Sequence, residues 1–231
     1  MAGRAMRVVG WIAAALALMS SCARAEPAAG DRDVAVVIDA GHGGYDHGTS
    51  GTRTGVPEDK LNLQVAKKLE QALENAGFTV VMTRESDDIQ YDPHSGVSRK
   101  TQDMRQRAAV IESAQPGVVI SIHMNKFPDG RYGGPQVFYH QGSEQGKLLA
   151  EAVQNQFNAH IEGSDREALS SGGYYILKVS SAPSILVECG FLSNERDERR
   201  LQTETFQQQL ADLMLAGLLD WLEGNQPVAS N

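Results

Sequence analysis

Four residues of this chain are of types that hold a metal ion or move a proton, and each sits in a glycine- or strand-framed motif. They are His42 in Asp39-Ala40-Gly41-His42-Gly43-Gly44, Glu58 at the start of a helical pattern, His123 in Ser121-Ile122-His123-Met124-Asn125, and Glu188 in Leu186-Val187-Glu188-Cys189-Gly190. Two imidazoles and a carboxylate are one ligand set of a catalytic zinc site, which keeps a coordination position open for water. The fourth residue is then available as general base or acid. Zinc lowers the pKa of bound water to about 7 and polarises a carbonyl oxygen, so the set points to metal-assisted hydrolysis of an amide or ester. In this reading His42, His123 and Glu58 hold one Zn2+. Glu188 takes a proton from the water and passes it to the leaving amine. Asp39, three residues before His42, is expected to orient its imidazole. Asn125 is expected to hydrogen-bond the substrate.

Singly, each signal has a plainer explanation. A lone histidine after a strand is more often a loop or core residue. A first-turn glutamate is favoured by the helix dipole alone. Glycines 41, 43 and 44 mark a tight turn and match neither a dinucleotide fingerprint nor a phosphate loop. Cys189 reads as a small core residue. His47, His94, His140 and His160 read as surface or loop residues, with His140 a further candidate to line the cleft. The joint placement of the four is what carries weight.

That placement follows from the elements. Val34–Ile38 is an apolar run ending at Asp39, the pattern of a buried parallel strand. Residues 41–55 read as a glycine-rich loop. Residues 58–76 have helical spacing, with Leu61, Val65, Leu69, Ala72 and Ala76 on one face and Gly77 as the stop. Strands are expected at 78–82, 118–122, 136–139, 174–177 and 184–187. Further helices are expected at 101–114, 143–161 and 206–222. The helix at 143–161 has Leu148, Leu149, Ala152 and Phe157 as its apolar residues, and that at 206–222 points Leu210, Leu213, Met214, Gly217, Leu218 and Trp221 inward. Residues 83–99, 128–135 and 163–173 read as loops. The alternation predicts a single three-layer α/β domain, with a mostly parallel, twisted central sheet flanked by helices. In such folds ligands sit at the carboxyl ends of strands, and His42, His123 and Glu188 all lie at or just past a predicted strand end.

The first residues read as an export signal: Arg4 and Arg7, an apolar run from Val8 to Met19, and an Ala23-Arg24-Ala25 cleavage site. An uncleaved N-terminal anchor and lipid attachment at Cys22, after Ser20-Ser21, are the alternatives. Residues 26–33 read as a linker, 34–223 as the catalytic domain and 224–231 as a disordered tail. Cleavage removes Arg4, Arg7 and Arg24 and no acids, which takes the formal charge from −8 to −11. That balance argues against nucleic acid or an anionic membrane surface as partner. Cys189 would then be the sole cysteine, so the fold must rely on its core.

The ordered motifs resemble the zinc-dependent N-acetylmuramoyl-L-alanine amidases of bacterial cell-wall turnover (amidase type 3). The resemblance runs from about Val36 to about Leu222. It takes in Ile38 to Gly44, Glu58-Asp59-Lys60-Leu61-Asn62-Leu63, Thr83-Arg84, Arg107, Ser121 to Asn125 and Val187 to Asn194. It implies a zinc-exopeptidase or phosphorylase-like fold, with zinc on His42, Glu58 and His123 and a catalytic Glu188. It also implies cleavage of the amide between the lactyl group of N-acetylmuramic acid and L-alanine of the peptidoglycan stem peptide. Glu188 to Asn194 and Gly134 to Tyr139 look like the spore-cortex branch. Pro57 and Asp59 depart from the residues the family tends to place around Glu58. The space between Arg84 and Arg105 is short, so the inserted blocking helix of some members is not evident. The implied setting is an exported monomer of the cell envelope, periplasm or exterior, with an N-terminal membrane tether and a protein activator as further expectations. Two other readings remain: a catalytically silent wall-binding protein on the same fold, and a zinc metallopeptidase.

Overall fold

The computed structural model describes residues 32–225, apart from residues 88 and 90. The expected leader, the Cys22 site, most of the linker and the residues from 226 onward lie outside the described residues. Among the described residues, no helix is long and apolar enough to cross a membrane.

Six strands, β1 (Arg32–Ala40), β2 (Phe78–Met82), β3 (Val118–Asn125), β4 (Gln136–His140), β5 (Leu169–Ser171) and β6 (Ser184–Phe191), form one sheet in the order β2-β1-β3-β6-β4-β5. β1 pairs with β2 and β3, β3 with β6, and β4 with β5, all in parallel, while β4 and β6 are antiparallel. The helices are α1 (Glu58–Asn75), α2 (Arg99–Ala114), α3 (Glu144–His160), α4 (Glu195–Leu201) and α5 (Glu204–Gly224). The mostly parallel α/β domain expected from the sequence is what forms.

Side chains alternate across a strand, so one register sorts both faces of the sheet. Val36, Ile38 and Ala40 of β1, Ile120 and Ile122 of β3, and Ile185 and Val187 of β6 pack into the larger core with α1, α3 and α5. Leu61, Leu69, Leu149, Val153, Leu210 and Met214 fill that layer. The intervening residues face the other way. Val37, Val119 and Leu186 meet Ile111 of α2 in a smaller core. This second face has apolar cover only at one end. At the carboxyl end of the strands it carries Asp39, Ser121, His123 and Glu188, with Asp39 beside Ser121 and His123 beside Glu188 in register.

Capping fixes where helices begin. Ser98, Ser143, Asn194 and Thr203 accept first-turn amide hydrogens of α2, α3, α4 and α5, as their side-chain chemistry favours. α1 follows Pro57 and has no side-chain cap. Its Glu58 amide instead donates to the Thr49 carbonyl at 2.9 Å, which ties the helix start to the loop before it.

Four local expectations need correction. Residues 174–177 are not a strand; a 3-10 turn covers Ile176–Lys178, and Ile176 and Leu177 bury under the sheet against the smaller core. A four-residue apolar run fits either geometry. The short strand instead lies at Leu169–Ser171, inside the expected loop. α4 occupies a segment given no element. Leu148 is exposed on α3, whose buried side is carried by Leu149, Val153 and Phe157.

Candidate metal centre and active site

β1 ends at Ala40 and the chain turns sharply. His42 lies in the left-handed region at φ 60°, a conformation costing about 1–3 kcal/mol in a non-glycine residue. Arg84 holds the turn from below. Its guanidinium donates to the carbonyls of Ala40 (2.9 Å), Gly41 (3.0 Å) and Asp59 (2.8 Å), bracing the end of β1 against the start of α1. A Cβ on Gly41 would collide with the His123 imidazole, so glycine there lets the ring sit against the backbone.

These constraints bring three donors together. His42 Nε2 lies 3.3 Å from Glu58 Oε1, and His123 Nδ1 lies 3.1 Å from the same oxygen. The ligand atoms of His42, Glu58 and His123 all fall within 4.8 Å of one another. The second oxygen of Glu58 accepts from the Thr49 amide at 2.8 Å. Asn62, one helical turn on, donates to the Gly41 carbonyl at 2.9 Å and approaches Glu58 Oε1 at 3.3 Å. Two imidazole nitrogens and one carboxylate oxygen converging at this spacing fit a zinc ion, whose usual catalytic set leaves a further position for water.

Charge is distributed unequally over the three. Desolvation works against ionisation of Glu58, but the two histidines outweigh it and hold its carboxyl well below the usual range. Desolvation would lower His42 as well, yet Glu58 and then Asp46 raise it to about 9. For His123, burial prevails over the pull of Glu58, with Arg107 and His42 adding repulsion, and its pKa falls. The metal-free chain therefore carries a proton on His42 at neutral pH, and a ligating imidazole must give it up.

Glu188 stands beside this group on β6. It is 7% exposed, and its Oε2 is buried without a hydrogen-bond partner. Burial, reinforced by the nearby Glu58, pushes its pKa up to about 8. The four residues line one cavity of about 640 Å³, together with Lys100, Met104, Asn125, Lys126, Tyr174 and Tyr175 among others. In the metal-free chain this carboxyl keeps its proton at neutral pH; a cation held by His42, Glu58 and His123 would favour its ionised form and free it to act as a base.

The expected role of Asp39 at His42 is not what forms. Asp46 Oδ2 lies 3.0 Å from His42 Nδ1, as a close charge contact rather than an aligned hydrogen bond. Asp39 points to α2, where Arg107 donates to both its oxygens at 2.7 and 2.5 Å. Ser121 and Thr83 donate to it as well, at 2.6 and 2.9 Å. Asn125 lines the cavity, its side-chain oxygen accepting from the Lys126 amide at 2.7 Å. His140 ends β4 beside Ser171 and is not among the cavity-lining residues. Sequence reasoning missed Asp46, Thr49 and Tyr174. Of the supporting residues, Asn62 had a readable signal, four positions after Glu58 on the same helix face.

A family model described as N-acetylmuramoyl-L-alanine amidase matches residues 36–220. The germination-specific N-acetylmuramoyl-L-alanine amidase of Bacillus subtilis strain 168 is 32% identical over 196 residues, spanning 83% of this chain and 82% of that protein. Among solved structures, the chain resembles the CwlD amidase of Clostridioides difficile in complex with the GerS lipoprotein. There the TM-score is 0.79 at 30% identity, over 84% of this chain and 100% of that one. The amidase AmiC2 of Nostoc punctiforme gives a TM-score of 0.71 at 30% identity, over 84% of this chain and 99% of that one.

Proposed function

The chain belongs to the N-acetylmuramoyl-L-alanine amidase family, and we propose that it works as a zinc enzyme with Glu188 as its catalytic base. Its activity is that of a peptidoglycan amidase. The finer reading is hydrolysis of the bond between the lactyl carbonyl of N-acetylmuramic acid and the nitrogen of L-alanine. The convergence of His42, Glu58 and His123 within 4.8 Å, beside the unpartnered carboxyl of Glu188, carries this reading.

His42, Glu58 and His123 would hold the ion, which when bound supplies a Lewis acid and an acidified water. The chain's own residues do the rest. Glu188 accepts a proton from the attacking water as its oxygen bonds to the lactyl carbon. The carbon–nitrogen bond then breaks, and Glu188 returns the proton to the departing nitrogen. The products are a free lactyl carboxylate and a stem peptide with a free L-alanine amine. Tyr174 keeps its hydroxyl proton, since burial and then Glu188 and Glu58 raise its pKa to about 12, and offers a hydrogen-bond donor to the cleft. Asn125 offers another polar contact.

The germination-specific relative and CwlD support placing the chain in the spore-cortex branch. CwlD was solved with a lipoprotein, which supports a protein partner for this chain as well. The cell envelope or extracellular space is the setting that suits a peptidoglycan substrate.

Mass spectrometry of purified peptidoglycan digested with and without a zinc chelator tests the proposal. Chelator-sensitive release of intact stem peptides with a free L-alanine amine is expected. Products trimmed only at the peptide C-terminus would make the chain a peptidase, and release indifferent to chelator would remove the zinc.

A further inference from the structure

Glu198 of α4 is 1% exposed and lies far along the chain from the ligands, yet it is spent entirely on the loop that joins two of them. Its Oε1 accepts from the Arg53 amide (3.0 Å), the Thr54 amide (2.7 Å) and the Thr54 hydroxyl (2.8 Å). Its Oε2 accepts from the Arg53 amide at 3.1 Å. Gly51 is required there, because a Cβ would collide with the carboxylate. A buried carboxylate costs several kcal/mol to desolvate unless its hydrogen bonds are satisfied, and these supply that satisfaction.

The anchored segment is a small hairpin. Ser50 bridges Pro57, Gly51 donates to the Val56 carbonyl at 2.8 Å, and Thr52 donates to the Leu192 carbonyl of the chain beyond β6 at 3.0 Å. Lys126 donates to the Ser50 carbonyl at 2.9 Å from the other side. At the base of the hairpin Thr49 and Glu58 face each other and exchange two hydrogen bonds. The Glu58 amide donates to the Thr49 carbonyl, and the Thr49 amide donates to Glu58 Oε2 at 2.8 Å. That second bond occupies one oxygen of Glu58 and leaves Oε1 turned toward His42 and His123.

We propose that Glu198 is a positioning residue for the metal centre: by fixing the 50–57 hairpin, it sets which oxygen of Glu58 faces the ion and at what angle. The inference rests on the zinc reading given above. The coupling runs through backbone, from α4 to the hairpin, from the hairpin to Thr49, and from Thr49 to the ligand carboxylate. Outer partners of metal ligands tune affinity about 10- to 100-fold.

The test compares zinc affinity, by chelator competition, and the visible spectrum of the cobalt-substituted protein, for wild type, Glu198→Ala, Glu198→Gln and Glu195→Gln. Glu195 lies on the same helix and touches the same loop only through the exposed Arg53 side chain, at 2.6 Å. Glu198→Ala is expected to weaken zinc about 10- to 100-fold and shift the cobalt bands, Glu198→Gln to do so less, and Glu195→Gln not at all. If Glu198→Ala does not fold, Glu198→Gln carries the test with the same sign. A purely structural role for Glu198 would lower the unfolding temperature while leaving affinity and spectrum of the folded protein at wild-type values, and that result overturns the inference. A wild type that binds no zinc overturns the reading beneath it instead.

Discussion

Arg107 and Asp39 face each other across the junction of α2 and β1, the guanidinium donating from Nε and Nη2 to both carboxylate oxygens at 2.7 and 2.5 Å. Asp39 is fully buried and Arg107 nearly so. Desolvation would raise the Asp39 pKa, but Arg107 and then Ser121 outweigh it and hold the carboxyl well below its ordinary value. A depressed acid contributes stability above its unfolded pKa and loses it as pH falls toward the folded one. The pair should therefore stabilise the chain fully above about pH 4 and progressively less below it. Arg107→Ala strands the carboxylate and should cost about 3–5 kcal/mol in urea unfolding at neutral pH. The wild-type advantage over this variant should shrink in acid; an advantage constant down to about pH 2 would show that the pair is not its source.

On the proposed reading, replacement of Glu188 by glutamine removes the base and leaves the three candidate zinc ligands in place. Turnover should fall about 100- to 10,000-fold with zinc stoichiometry unchanged. The same variant removes a carboxyl whose folded pKa, about 8, lies above its unfolded value. Such a group weakens the fold once pH exceeds the unfolded pKa, so metal-free Glu188→Gln should melt above metal-free wild type at neutral pH. Loss of zinc in this variant would make Glu188 a ligand.

His123→Ala should weaken zinc far more than it weakens the fold. The comparison is zinc content by elemental analysis beside thermal unfolding of the metal-free forms. Unchanged zinc content would take His123 out of the ligand set.

Gly41→Ala places a methyl group against the His123 ring, which must move. Zinc affinity should fall at least about tenfold while the circular dichroism of the fold persists. Wild-type affinity would mean the ring yields without cost.

Cys189 is fully buried, and burial, then Glu188 and Glu58, push its thiol up from the ordinary range. The thiolate is the reactive form, so alkylation mapped by mass spectrometry should spare Cys189 in the folded protein and reach it in denaturant.

The main elements were readable because their patterns are strong. β1, β3 and β6 are apolar runs that stop at Asp39, His123 and Glu188, and α1 has an unbroken apolar face. What could not be read depends on contacts distant in sequence. α4 is seven mostly charged residues, too short to display a helical period, and only Asn194 marks its start. β5 exists through pairing with β4 alone. Chain proximity points Asp39 to His42, but the positive-φ turn carries His42 off the strand while Asp39 follows the strand's alternation toward α2. Nothing local to residues 50–57 announces Glu198.

β6 is an interior strand, flanked by β3 and β4, yet among the described residues it is the last strand in chain order. Until Phe191 has emerged, β3 and β4 each present an open edge where their shared neighbour belongs, and such edges recruit other chains. Completion of the sheet is thus a closing act that waits for the segment 184–191. A product cut short before β6 would lack Glu188, the proposed base, and would keep those open edges. The sheet, and with it the cleft, can be assembled only after β6 has been made.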